Sequence, residues 1–417
     1  MTDPSTAATL VPGASSTAAS PAAAPRKYDL WLICLTAALV AWGLLMMYSA
    51  SSFLAVETYK DPWHYVVRQG IAVAIGLAAL VGLAMTPYRK LADWAPTLWG
   101  ASIVLLLLVH VPVISHSAKG ATRWIELGPL HFQPAEFAKL ATLIALAAWL
   151  HRNRGDIHNK NTILVAGAIV VPQLLCIIVQ PDFGSTAIIA VLCGVMYALA
   201  GLRTGLMTVA ATGGSFLLGL VAIAQPYRMK RVTSFLDPFA NCSGDGYQVC
   251  QSLLAMHQGG LVGRGMGESV AKMLYLPEPY NDFIAAVLGE ELGLIGVVVL
   301  ILCYLALALV GFRIARRAPD TFGSILASTF TVMIVGQACL NLGVVMSVVP
   351  PKGLVLPFMS YGATAMMMNL AAVGVLLSIS AEGVDNAPAY AGLQDFWLAV
   401  RGLPAQRPAM AGRGTRA

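Results

Sequence analysis

What limits this chain most is a succession of apolar segments, each long enough to cross a bilayer. A spanning helix needs about 20 mostly apolar residues. About ten stretches meet that requirement, expected at Leu30–Ser49, Val66–Met85, Trp94–Ile114, Pro134–Leu150, Thr162–Val179, Ser185–Leu202, Leu206–Ala224, Phe283–Ala315, Phe322–Met346 and Phe358–Ile379. Only helices and closed barrels satisfy their backbone inside lipid, and segments of this length specify a helical bundle. The composition agrees: 58% of residues are hydrophobic and 11% are charged, against roughly 25% charged in soluble domains. The net charge is +6, but no basic tract reads as nucleic-acid binding. The expected fold is therefore an all-α polytopic membrane protein. The eighth segment is longer than a bilayer requires and is expected to tilt or project.

Lys and Arg set the orientation. Arg26, Lys27, Arg89, Lys90, Arg152, Arg154, Lys160, Arg203, Arg313, Arg316 and Arg317 fall on one side if the segments alternate, as do Arg401, Arg407, Arg413 and Arg416 in the tail. That side is expected to be cytoplasmic, with both termini on it. Residues 1–28 and 382–417 read as cytoplasmic tails of Ala, Ser, Pro, Gly and Arg, the second with a short interfacial helix expected near Phe396 to Val400. Residues 29–381 form the membrane domain. Within it, residues 225–282 are a long outer connection, rich in Gly and aromatics, expected to be folded with one or two short helices. Cations also stand on the outer side: Arg123, Arg228, Lys230, Arg231, Arg264 and Lys272. They oppose the topology rule, and an anionic substrate at the outer surface would account for them.

Of the seven cysteines, Cys34, Cys176, Cys193, Cys303 and Cys339 lie in apolar segments as packing residues. Cys242 and Cys250 share the long loop, where a disulfide and two free thiols are equally compatible with the sequence. No Cys/His spacing marks a metal site.

Four polar clusters interrupt the apolar pattern. The first runs from Gly120 through Arg123-Trp-Ile to Gln133-Pro-Ala-Glu-Phe-Ala-Lys139, in which Glu136 and Lys139 share a helical face and can pair. Charges inside a span are functional candidates; the alternative is an ion pair that fixes helix packing. The second is Gln180-Pro-Asp-Phe-Gly184, whose Asp182 is expected to cap the sixth helix. The third is the long loop, ending in Leu276-Pro-Glu-Pro-Tyr-Asn-Asp282 and followed by Gly289-Glu-Glu-Leu-Gly293. Pattern alone makes Asp282 a helix N-cap. The fourth is Asn341-Leu-Gly343, Pro350-Pro-Lys-Gly353 and Pro357-Phe-Met-Ser-Tyr-Gly362, which reads as a broken helix lining a cavity or as a tight outer turn.

In this order the motifs resemble the SEDS family of bacterial cell-wall polymerases, whose members include FtsW, RodA and SpoVE. The resemblance covers about Asp29 to Ser380 and lies nearest the FtsW branch at Gly246-Tyr-Gln-Val-Cys-Gln-Ser252, Ala271-Lys-Met-Leu-Tyr-Leu-Pro277 and Pro351-Lys-Gly353. The chain departs from the usual family wording at Ala135, at Tyr280-Asn281 and at Ala363-Thr364. The resemblance implies a peptidoglycan glycosyltransferase that polymerises lipid II, with the family's essential aspartate at Asp282 as general base. It also implies substrate-binding roles for Arg123, Glu136, Lys139, Arg228, Arg231, Lys352 and Ser360, with the cations offsetting charge on the pyrophosphate leaving group. A class B penicillin-binding protein (an FtsI-like transpeptidase) and other division proteins are the implied partners, and the division septum of the inner membrane the implied location. The motifs fix no cofactor; a divalent cation, magnesium or manganese, is compatible with them. Rival readings are a lipid II flippase, a scaffold recruiting the transpeptidase, and a RodA-like elongation enzyme.

Overall fold

The computed structural model describes residues 27–111, 115–118, 121–127, 130–223, 239, 242, 244, 246–351 and 353–383. Its long helices are α1 (Leu30–Tyr59), α2 (His64–Met85), α3 (Lys90–Leu108), α4 (Pro134–Arg152), α5 (Lys160–Val179), α6 (Phe183–Leu199), α7 (Thr204–Ile223), α9 (Ile284–Arg317), α10 (Thr321–Val345) and α11 (Ala363–Glu382). A shorter α8 (Tyr247–Gly259) and a five-residue π-helical turn (Ala271–Tyr275) belong to the long connection. Among the described residues, seven helices (α1, α2, α3, α5, α9, α10 and α11) are long and apolar enough to cross a membrane. Of the expected tails, residues 1–26 and 384–417, with the short helix near Phe396, lie outside the described residues, as do Arg228, Arg231 and Lys352.

Local chemistry sets several boundaries. Asp29 caps α1 by accepting from the Leu32 amide, and Asp320 caps α10 by accepting from that of Gly323. Helix α1 runs ten residues past the expected Ser49, because its C-terminal extension through Ser51, Ser52 and Glu57 is still helical although less apolar. It ends at Lys60 in the left-handed region (φ 59°). The all-α expectation also needs correction. Between α3 and α4, strands β1 (Ser115–Ala118), β2 (Ala121–Leu127) and β3 (Leu130–Phe132) form an antiparallel sheet in that order. Ala118 pairs with Ala121 and Leu127 with Leu130.

Helices α4, α10 and α11 are the buried centre, while α2, α3 and α5 expose most of their apolar surface. Lipid-facing surface of that kind carries no desolvation penalty in a bilayer. Glycines allow the closest approaches. A Cβ on Gly374 of α11 would sit 2.5 Å from the Leu80 carbonyl oxygen of α2, and one on Gly43 of α1 would overlap that of Phe358. Near the helix ends, Arg89 pairs with Asp320 at 2.9 Å and also with Glu382. Arg313 pairs with Asp29 at 2.6 Å, which links the start of α1 to the end of α9.

Candidate active site

The polar clusters converge where the α10–α11 connection meets the loop before α9. Asp282 precedes α9 in a turn, and the N-cap position belongs to Phe283, one residue later. Its backbone is held from two sides. The Asn341 Nδ2 of α10 donates to the Asp282 carbonyl at 2.8 Å and to the Leu354 carbonyl at 2.6 Å. Two residues earlier, the Tyr280 carbonyl accepts from the Tyr361 amide at 2.9 Å. The Asp282 carboxylate lies over Gly353, where an added Cβ would sit 3.2 Å from Oδ2. Asn281, one of the departures from the family wording, closes the preceding turn by donating from Nδ2 to Glu278 Oε2 at 3.2 Å.

Tyr280 is the other departure in that stretch, and it is buried. Its ring lies 4.5 Å from that of Tyr65 and 5.7 Å from that of Tyr361. Burial pushes the Tyr280 and Tyr361 hydroxyls up, with Arg68 beside Tyr361 working the other way. Both phenols are therefore neutral donors across the physiological range. Nothing in the apolar reading of the second segment singled out Arg68 or Gln69. Gln69 donates from Nε2 to the Ser360 carbonyl at 3.3 Å and accepts from the Gly362 amide at 3.3 Å.

Glu136 and Lys139 do pair, at 2.8 Å, with Lys139 2% exposed. Lys139 Nζ also donates to Gln337 Oε1 at 3.2 Å, and Gln337 Nε2 donates to the Val355 carbonyl at 3.0 Å. Gln337 and Asn341 are one turn apart on α10. Through them the buried ion pair and the Asp282 turn share one short stretch of backbone, residues 353–355.

Arg123 reaches from β2 to the turn before α6. It donates from Nε to the Gln180 carbonyl at 3.1 Å and from Nη2 to that of Pro181. These partners are neutral, so Arg123 keeps its full charge, whereas Lys139 is neutralised by Glu136. Asp182 caps α6 as expected, accepting from the Ser185 amide at 3.2 Å. It also accepts from Gln133 Nε2 at 3.2 Å. This turn packs on the same connection: a Cβ on Gly184 would lie 3.4 Å from Leu354 Cδ2. Thr364, another departure, accepts from the Gln133 amide at 2.9 Å and donates to the His131 carbonyl at 3.2 Å, tying the sheet to α11.

Ser360 is enclosed by its own turn. It is 3% exposed, and its hydroxyl accepts from the Leu356 amide at 2.8 Å, so it closes the turn rather than facing a ligand. Two of the outer cations also have internal partners. Lys272 pairs with Glu291 at 3.0 Å and Arg264 with Glu290 at 3.2 Å. Cys242 and Cys250 form a disulfide with their Cα atoms 5.6 Å apart.

Comparison with known proteins gives this geometry a context. The family described as "Cell cycle protein", comprising FtsW, RodA and SpoVE, matches residues 30–384. A relative from Halothiobacillus neapolitanus, named probable peptidoglycan glycosyltransferase FtsW, is 42% identical over 85% of this chain and 87% of its own length. The stage V sporulation protein E of Bacillus subtilis is 39% identical over 84% of this chain and 96% of its own. Among solved structures, a chain from one described as "Structural coordination of polymerization and crosslinking by a peptidoglycan synthase complex" superposes with a TM-score of 0.69. It is 30% identical and covers 85% of this chain and 98% of its own. The rod shape determining protein RodA of Thermus thermophilus superposes with a TM-score of 0.64 at 29% identity, covering 86% and 98%.

Proposed function

The chain belongs to the FtsW/RodA/SpoVE family, and from that premise we propose that it is a multi-pass membrane peptidoglycan glycosyltransferase that polymerises lipid II, with Asp282 as general base. The observation that carries this reading is the hold on Asp282. Its backbone is fixed by Asn341, and its carboxylate overlies a residue without a side chain, at the mouth of a polar path that leads to Lys139.

In the reaction, the acceptor sugar's 4-hydroxyl attacks the anomeric carbon of the donor. The O–H bond breaks and its proton passes to the Asp282 carboxylate. The new glycosidic C–O bond forms as the bond from the anomeric carbon to pyrophosphate breaks, and that electron pair leaves on the lipid pyrophosphate. One carboxylate acting as base, with none assigned as nucleophile, implies inversion. Charge on the leaving group calls for preorganised cations. Arg123 fits best, because its described partners are uncharged carbonyls. Lys139 acts with Glu136 as an internal strut, and Arg228, Arg231 and Lys352 remain in the proposed cationic set. A divalent cation, magnesium or manganese, remains compatible with this cationic set.

Ten spans complete the proposed topology, with α4, α6 and α7 added to the seven that are long and apolar enough to cross a membrane and both termini cytoplasmic. The ion pairs joining residues 29, 89, 313, 320 and 382 support a common side for the first and last helices. The disulfide supports an oxidising, outer location for the α7–α9 connection. The proposed partner is a class B penicillin-binding protein at the division septum; the structural relative with the TM-score of 0.69 comes from a peptidoglycan synthase complex. The test is purified protein with its cognate transpeptidase in proteoliposomes loaded with lipid II. Glycan ladders are the expected product. Lipid II crossing the bilayer with no polymer would favour the flippase reading, and neither activity would favour the scaffold.

A further inference from the structure

Helix α9 is broken where it carries two adjacent carboxylates. Gly293 has φ 65°, ψ −164°, and the segment 260–265 runs across the break. The Gly260 and Leu261 carbonyls accept from the Leu294 and Ile295 amides at 3.0 and 3.2 Å. The Arg264 and Gly265 amides donate to the Glu290 and Glu291 carbonyls, each at 3.0 Å. The backbone groups released by the break are thus paired again. The approach requires glycine: a Cβ on Gly263 would overlap the Glu291 carbonyl oxygen, and one on Gly293 would overlap the Gly263 nitrogen.

Both carboxylates at this crossing are fully buried. Glu290 accepts from Arg264 Nη1 at 3.2 Å, Ser269 Oγ at 2.6 Å, the Val270 amide at 3.0 Å and the Ala271 amide at 3.1 Å. Glu291 Oε1 accepts from Lys272 Nζ at 3.0 Å and from Ser49 Oγ of α1 at 2.5 Å. Lys272 Nζ also donates to the Gly267 carbonyl at 2.6 Å. These contacts tie residues 269–272 to residues 290–291. The stretch between them carries Asp282 near its middle and the first five residues of α9, Ile284–Leu288, which are all buried. A buried ion pair seldom stabilises a fold more than apolar side chains of similar size would, but it fixes direction and register.

We propose that Lys272, Glu290 and Glu291 are positioning residues for the transferase reaction. They close the base of the 272–290 segment, anchor it to α1 through Ser49, and so hold the Asp282 carboxylate over Gly353. This rests on Asp282 being the base. The experiment uses the full chain with its class B partner and compares steady-state polymerisation of lipid II. Lys272→Met combined with Glu291→Gln removes the ion pair without stranding a charge. A folded double variant is expected to lose at least tenfold in kcat with KM for lipid II unchanged, and amide exchange across residues 276–283 is expected to rise. Lys272→Arg, which keeps the charge, is expected to recover part of kcat.

Should the double variant fail to fold, Ser49→Ala keeps the ion pair and removes only the anchor on α1. It is expected to lower kcat severalfold at unchanged KM. A folded double variant, or Ser49→Ala, with kcat within twofold of wild type and unchanged exchange at 276–283 would overturn the proposal. Asp282→Asn is measured alongside: an active Asp282→Asn sinks the base assignment itself, whereas an inactive one beside a fully active double variant sinks only the positioning role.

Discussion

The contact between Asp282 and Gly353 offers the sharpest perturbation. A Cβ at Gly353 would lie 3.2 Å from Asp282 Oδ2 and 3.9 Å from its Cγ, the two nearest atoms among the described residues beyond its chain neighbours. The one thing Gly353→Ala changes is the seat of the carboxylate, which must give by a few tenths of an ångström. Misplacing a catalytic group by about 1 Å costs on the order of 100-fold. A shift of about a third of that predicts a kcat loss of roughly three- to tenfold, equivalent to about 0.7–1.4 kcal/mol. Gly353→Val, which crowds the carboxylate further, is expected to lose more. Melting temperature and KM for lipid II should move little, because the nearest described contact is the carboxylate alone. Initial rates of glycan formation with the purified complex, measured beside thermal unfolding, would check this. An alanine variant as fast as wild type would refute the placement of the carboxylate over Gly353.

Three further outcomes follow from the same contacts. Asn341→Ala removes two hydrogen bonds to backbone carbonyls, at Asp282 and Leu354. It should cost about 1–3 kcal/mol of stability and lower kcat more than it changes KM, as thermal unfolding and steady-state kinetics would report. Lys139→Met strands the Glu136 carboxylate inside the bundle and should destabilise by about 3–5 kcal/mol. Lys139→Met with Glu136→Gln should recover most of that loss in the same unfolding assay. Cys250→Ser opens the short loop closed at Cys242, which is expected to cost about 2–3 kcal/mol of local stability. Faster proteolysis between residues 239 and 260, matched by wild type under reductant, is the readout.

The apolar segments and the local pairings were legible because each depends on residues close in sequence. Glu136 and Lys139 meet because three residues place them on one helical face, and Asp182 caps α6 because Ser185 follows at the right distance. What escaped the sequence depends on distant segments. The outer part of α1 lost its signal at Ser49 and Ser51, whose hydroxyls are buried by protein rather than lipid. The three-stranded sheet is short, and its pattern was hidden inside a charged loop. A glycine at 293 is tolerated in a helical pattern, so the break in α9 becomes visible only when residues 260–265 are seen to cross it. Lys272 and Arg264 looked like cations awaiting an anionic ligand, and their partners Glu291 and Glu290 come from the far side of Asp282. Arg123 was legible as a charge on the unexpected side, but its grip on the Gln180 and Pro181 carbonyls was not. Ser360 sits within a conspicuous Ser-Tyr-Gly run, and the structure uses it to close the turn at Leu356.

The measurement that bears most directly on the whole account is lipid II polymerisation by the purified chain with its transpeptidase partner, comparing wild type with Asp282→Asn. The substitution keeps size and shape and removes the proton acceptor. The account expects glycan ladders from wild type and, from an equally stable mutant, a loss of at least about 100-fold, the lower bound for a positioned general base. A well-folded Asp282→Asn that polymerises at the wild-type rate would contradict it, and would leave Asp282 a residue of the turn before α9 with no part in the chemistry.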